Sequence, residues 1–259
     1  MSVCSQTNCK VVNYAYDPGE LLSYEAEYHW GFINAVAGLA TIEVLEGVFN
    51  HKDVFRYRAI GFTYPKYDWI YKVRDTVESF ADKLTLTPYK FNRNGSQGEK
   101  FLFENVFFNK VKDQAYTFIS KHKKPLKKDT LKITDCTFDV LSAIYYSRNI
   151  NFPSYKVNDI IPVFLYLDNQ HHITYVRYLG KEEINTKYFG KNRCVKFKVN
   201  LVQGELFNSG ENMTVWMTDD ENHIPIYIET QILVGNIKVN LTNQKKVKNI
   251  VNSRVINSK

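Results

Sequence analysis

The chain has 259 residues, 44% of them hydrophobic and 15% aromatic, and a formal net charge of +7. This length allows one large domain or two small ones, the composition excludes wholesale disorder, and no apolar run reaches the roughly 18–20 residues that cross a membrane as a helix. The 18 Tyr and 17 Phe favour strands, because aromatic side chains suit a pleated, half-buried surface.

Residues 1–16 read as a loose lead-in, 17–241 as a single β-rich domain and 242–259 as a basic tail. Asp17-Pro18-Gly19-Glu20 is a turn signal. Leu22, Tyr24, Ala26 and Tyr28 alternate with polar residues, the pattern of a strand with one wet face. Trp30–Gly38 is rich in small residues and predicts a bend or bulge, followed by a strand over Leu39–Leu45. Further strands are expected at Val54–Ile60, Tyr67–Arg74, Thr76–Phe80, Leu84–Leu86, Pro88–Arg93, Lys100–Phe108 and Ala115–Ser120, with Asn94-Gly95 as a turn.

The lysine-rich stretch Lys121–Lys132 reads as a solvated loop and Lys245–Lys259 as a frayed end; contact with an anionic membrane surface or polyanion is the sharper alternative for both. No nucleic-acid partner is expected, because no aromatics interleave with the basic run and no binding motif accompanies it.

Thr134–Asn149 is the one convincing helix, with Thr134 or Asp135 at its cap. Phe138, Leu141, Ile144 and Tyr145 recur on one side of it at three- and four-residue steps. Such a stripe needs a concave apolar surface, and a curved antiparallel sheet supplies one. After a connection at Asn151–Asn158, strands follow at Ile160–Leu167, His172–Leu179, Lys181–Thr186, Cys194–Leu201, Met213–Thr218, Ile224–Glu229 and Ile232–Leu241. Pro162 places its strand at an edge or a strand start. The fold expected is mainly β: a curved antiparallel sheet, barrel-like or a half-barrel, with one main helix.

Few residues argue for catalysis. Asp135 and Asp139 lie four apart and could share acid–base work, but capping explains them more simply. Arg148 suits the negative end of the helix dipole, and Arg74 and Asp75 read as solvated charges. Cys136 near a helix start lacks a histidine in any cysteine-protease signature, so a structural thiol or a disulfide with Cys194 is the better expectation. Cys4 and Cys9 lack the accompanying ligands of a zinc site. His171 and His172 point to opposite faces of a strand. His223 with Asp219–Asn222 lacks the spacing of a calcium loop and reads as a solvated turn. No phosphate-binding loop, dinucleotide fingerprint or nucleophile elbow occurs. No metal, cofactor or catalytic residue is expected. The candidate ligand-binding side chains are Phe138, Leu141, Ile144 and Tyr145, with Trp69 and Trp216.

Gly19-Glu20-Leu21, Gly31–Ala35, Ala40–Val44, Tyr71–Phe80, Cys136–Arg148, Val215–Pro225 and Val234–Ile237 together resemble the domain of unknown function 3108 family, over roughly residues 17–241. The likeness is greatest to members from Bacteroidetes-type bacteria. It implies an exported, periplasmic or envelope-associated β-rich protein with no assigned activity, and a setting that favours a Cys136–Cys194 disulfide. Met1-Ser-Val-Cys shows no secretory leader, so the expectation is a chain that starts after a removed leader, or a cytoplasmic one if this start is native. Three functions are open. The first is a non-enzymatic envelope module that binds a lipid-like ligand or an envelope protein. The second is a hydrolase of an envelope glycan or lipid that uses Asp75, Asp135 or Asp139. The third is an assembly protein that pairs through its sheet edges.

Overall fold

The alternation from Leu22 to Tyr28 folds as expected into β1 (Leu21–Trp30), and it sets the pattern for the chain. A computed structural model describes residues 11–98, 100–122, 124–202 and 209–255. The strands that follow are β2 (Ile33–Phe49), β3 (Lys52–Thr63), β4 (Val73–Asp82), β5 (Pro88–Gln97), β6 (Lys100–Asn109), β7 (Gln114–Lys121), β8 (Lys127–Lys132) and β9 (Thr137–Phe138). After the helix come β10 (Ile160–Leu167), β11 (Gln170–Thr186), β12 (Gly190–Leu201), β13 (Gly210–Thr218), β14 (Pro225–Gln231) and β15 (Asn236–Lys245).

All fifteen belong to one sheet, in the order β8-β7-β6-β5-β4-β3-β2-β1-β15-β14-β13-β12-β11-β10-β9. Each neighbouring pair is antiparallel except β9 with β10. A sheet this wide curls, and side chains draw its two ends together. Thr117 Oγ1 donates to Asn169 Oδ1 at 2.7 Å, Asn169 Nδ2 donates to Asp129 Oδ2 at 3.0 Å, and Tyr166 OH donates to Glu104 at 2.6 Å. The mainly β, barrel-like expectation holds.

The helix is shorter than expected. Thr134–Asn149 divides into a turn, the short strand β9 and α2 (Val140–Ser147). Neither Thr134 nor Asp135 caps it. Asp139 does, accepting from the N–H groups of Leu141 and Ser142, while the Ser142 hydroxyl accepts from the Asp139 N–H. Cys136 sits at φ +64°, outside helical geometry, so Phe138 belongs to a strand. The apolar stripe survives only from Leu141 onward.

α2 packs on the concave face against β3, β4, β9 and β10. Tyr57 stacks on Tyr145 with ring centroids 4.0 Å apart, and the hydroxyls of Tyr16 and Tyr57 share a hydrogen bond of 2.7 Å. Ala15 and Tyr16 are fully buried, so the end of the expected lead-in is packed into the core. The chain beyond β15 is also tied down as far as Arg254. Asn249 bonds Asn222 and the Tyr14 carbonyl, and Arg254 bridges to Asn192.

Five further segments differ from the sequence expectation, among them Leu84–Leu86, which was expected as a strand and lies in the β4–β5 turn. Residues 65–71 form a 3-10 turn and α1 (Asp68–Tyr71) where a strand was expected. Asn94-Gly95 runs straight through β5, because Gly95 packs against Asp75 and the Arg74 carbonyl where a Cβ would not fit. The second half of the lysine-rich stretch is the edge strand β8. His172–Leu179 and Lys181–Thr186 are a single strand with a bulge at Tyr178–Gly180. Pro162 sits as expected near an edge: β10 meets β9 only at Phe164 and Leu165.

Candidate apolar pocket at one rim of the sheet

The strand registers fix two rims. One carries the β1–β2, β3–β4 and β14–β15 turns, as the terminal pairs Trp30↔Ile33, Phe62↔Arg74 and Gln231↔Asn236 show. The other carries the β2–β3, β4–β5 and β13–β14 turns. α2 lies toward that second rim, packed on Phe55, Tyr57 and Ala81. Toward the first rim the inward positions become small. Ala40 pairs with Gly61 across β2 and β3, and Ala26 pairs with Gly38 across β1 and β2. A Cβ on Gly38 would collide with the Phe62 carbonyl, so glycine there lets the β1–β2 bulge settle against β3.

The space left is a pocket of about 470 Å³. Its walls include Ala26, Tyr28, Ala40, Gly61 and Val73, and Leu233 and Val234 close over it from the β14–β15 turn. The frame is fixed by polar contacts made by several of the lining residues. Tyr28 OH donates to the Val234 carbonyl at 3.0 Å. Thr63 Oγ1 donates to Asp68 Oδ1 at 2.8 Å and accepts from the Val73 N–H at 3.0 Å, and Arg74 donates to Asp68 at 2.9 Å. Glu27 is the one acidic residue in the lining. Partial burial pushes its carboxyl up, but hydrogen bonds from Lys187 and His29 outweigh this and hold it below the usual range. The cavity can take an apolar body, and the one carboxylate in its lining is already engaged by Lys187 and His29.

None of the residues expected from the sequence lines this pocket. Phe138, Leu141 and Tyr145 are buried in the core around α2. Ile144 is half exposed, and Trp216 lies in a separate cluster with Leu22 and Ile226. Trp69 stands exposed on α1, two residues beyond the lining residue Tyr67. The missed signal is the set of alanines and glycines at inward positions of β1–β3, which carries meaning only once the register is known.

The candidate carboxylates do not converge. Asp75 is paired with Arg93 at 3.0 Å, and Asp135 is exposed. Asp139 is buried against Ser79, four residues and so roughly 13 Å along β4 from Asp75. Cys194 is a free buried thiol whereas Cys136 is disulfide-bonded, so the expected Cys136–Cys194 bridge is not formed. Cys4 and Cys9 lie outside the described residues. The two cysteines belong to different core clusters, which sequence spacing does not reveal.

His171 Nε2 lies 3.2 Å from Thr137 Oγ1, and His172 turns to the Leu167 carbonyl. The 219–223 turn is not a solvated surface loop. His223 is buried with Nδ1 2.8 Å from the Arg148 carbonyl, and Arg148 reaches the Asn222 carbonyl. Among the described residues no His, Cys, Asp and Glu group is placed to hold a metal ion.

One curled antiparallel sheet, with a helix packed toward one rim and an apolar pocket at the other, defines a barrel-like β protein with an end-opening cavity. The chain belongs to DUF3108, a family of proteins of unknown function, whose model matches residues 23–242. Its fold is similar to that of a β-barrel-like protein of domain of unknown function DUF1849 from Brucella abortus, at 10% identity and a TM-score of 0.55, covering 91% of this chain and 100% of that one. A putative exported protein with a YmcC-like fold from Bacteroides fragilis matches at 8% identity and a TM-score of 0.39, over 91% of this chain and 100% of that one. No curated protein matches this chain.

Proposed function

We propose that the protein is a non-enzymatic envelope module that binds a lipid-like, apolar ligand in the rim pocket. The pocket itself carries this proposal: about 470 Å³, walled almost wholly by apolar groups, within a rigid sheet. That size falls in the ordinary range for small-ligand sites. A disulfide at Cys136 fits an oxidising compartment. The hydrolase alternative loses support from the separation of Asp75, Asp135 and Asp139. Edge pairing loses support at β8, where Lys127, Lys128 and Lys132 blunt the edge.

Gly61 supplies the test. A Cβ built there meets nothing within 4 Å, and the backbone is not in the left-handed region. Gly61→Leu starts from a position with room for a Cβ, puts a side chain into the cavity and also favours the strand. Affinity for a fluorescent fatty-acid probe is expected to fall at least tenfold (about 1.4 kcal/mol), with no loss of thermal stability. Wild-type protein that binds no apolar probe, and carries none when isolated from cells and weighed by native mass spectrometry, would overturn the proposal.

A further inference from the structure

The rim that opens the pocket has an unusual surface. Phe32 is fully exposed, Trp30 is 54% exposed, Trp69 75%, Leu233 59% and Val234 51%. These residues sit on three separate turns, those of β1–β2, β3–β4 and β14–β15, all at the same end. Neighbouring turns at this end add exposed Lys66, Lys72 and Lys100. The acidic residues nearest them are engaged: Asp68 by Arg74 and Thr63, and Glu27 by Lys187. The opposite rim is mixed in charge, with Asp82, Asp113, Asp135, Asp219 and Glu221 beside Lys52, Lys83, Lys110 and Lys112, and it lacks the exposed tryptophans.

We infer that this rim docks onto an anionic lipid bilayer, with Trp30, Phe32 and Trp69 seated in the headgroup region and the lysines against lipid phosphates. Tryptophan prefers that interface, because one part of its ring system is apolar and its N–H needs a polar partner. Isolated turn tips bearing large apolar side chains suit a deformable lipid surface better than a flat protein face. Lysines near an anionic leaflet add an attraction that fades within about 10 Å at 0.1 M salt. A second copy fits less well, since a two-fold contact would set the same lysines against one another. Docked this way, the pocket mouth faces the membrane. The inference stands on the exposed side chains and not on the pocket's contents, so the two can fail separately.

The test is flotation of the full chain with phosphatidylcholine vesicles made with and without phosphatidylglycerol. Binding is expected only to the phosphatidylglycerol vesicles and is expected to be lost in high salt. The Trp30→Ser/Phe32→Ser variant removes a fully exposed ring and a largely exposed one, and its partition falls at least tenfold while its melting temperature stays close to the wild-type value. Lys66→Glu/Lys72→Glu weakens binding to the same vesicles, whereas Gly61→Leu floats like wild type. Absence of flotation, flotation indifferent to Trp30 and Phe32, or flotation equal on both lipids would overturn the inference. A dimer in vesicle-free solution that disappears with Trp30→Ser/Phe32→Ser would overturn it in favour of self-association.

Discussion

Arg148→Met is expected to destabilise the protein by ~3–5 kcal/mol, the usual cost of breaking a buried ion pair from one side. Arg148 and Glu20 are both fully shielded from solvent. The guanidinium donates to both Glu20 oxygens, at 2.8 Å to Oε2, and also to the carbonyls of Asn222 and Ala15. It ties the end of α2 to the start of β1, to the 219–223 turn and to the N-terminal core segment. Without it Glu20 is a bare buried carboxylate and two carbonyls lose donors. Glu20→Leu/Arg148→Met should recover part of the loss, since no charge is left stranded. Urea unfolding of the three proteins measures this. A cost below about 1 kcal/mol for the single change would mean that the contact contributes little.

Asp139 produces the second large effect, a dependence on pH. Complete burial pushes its carboxyl up to about 6, against the pull of Ser79, Ser142 and the Leu141 N–H, which favour the charged form. In the unfolded chain the value is 3.8. Between those two values the folded protein holds the proton more tightly than the unfolded one. The contribution is therefore fully present below pH 3.8, falls as the pH rises to about 6, and is flat above that. The difference corresponds to ~3 kcal/mol. Asp139→Asn keeps an acceptor for the first-turn N–H groups and carries no charge. It is expected to match or exceed wild-type stability at pH 7 and to lose this slope. Asp139→Ala loses the cap, at ~1–2 kcal/mol. Unfolding free energies of the three proteins from pH 4 to pH 7 decide the matter, and parallel pH profiles for wild type and Asp139→Asn would sink the assignment.

The β architecture was legible because period-2 alternation is local. Leu22 to Tyr28 and Val195 to Leu201 announce their strands wherever the partners lie. Boundaries failed where a tertiary contact overrode a local signal. Asn94-Gly95 looks like a hairpin turn, yet Gly95 is needed for the approach of β5 to Asp75. Cys136 looks like part of a helical stripe, yet its positive φ ends the turn before β9. The pocket was illegible for a related reason. Its walls are defined by what Ala26, Ala40 and Gly61 lack, and an absence of side chain shows as a cavity only when strands far apart in sequence are laid side by side. The sequence pointed instead to the large aromatics near α2, which fill space. Charge was misjudged in the same way: Arg148 and His223 look like surface residues until the turn that covers them is in place.

The order of the strands also constrains when the molecule can be finished. β1 to β8 form one meander and β9 to β15 another, and the two are welded at the middle of the sheet, where Leu21 meets Lys245. Each meander can wind up by neighbour-to-neighbour pairing, but the weld joins residues more than 200 positions apart, and contacts of that separation form slowly. A ribosome must therefore release almost the whole chain before the two centre strands can find each other. Until then β1 has one bare edge, and Glu20, directly before it, waits for Arg148. A chain with this connectivity stays threadable until its last strand emerges, and it becomes a single cooperative body only afterwards.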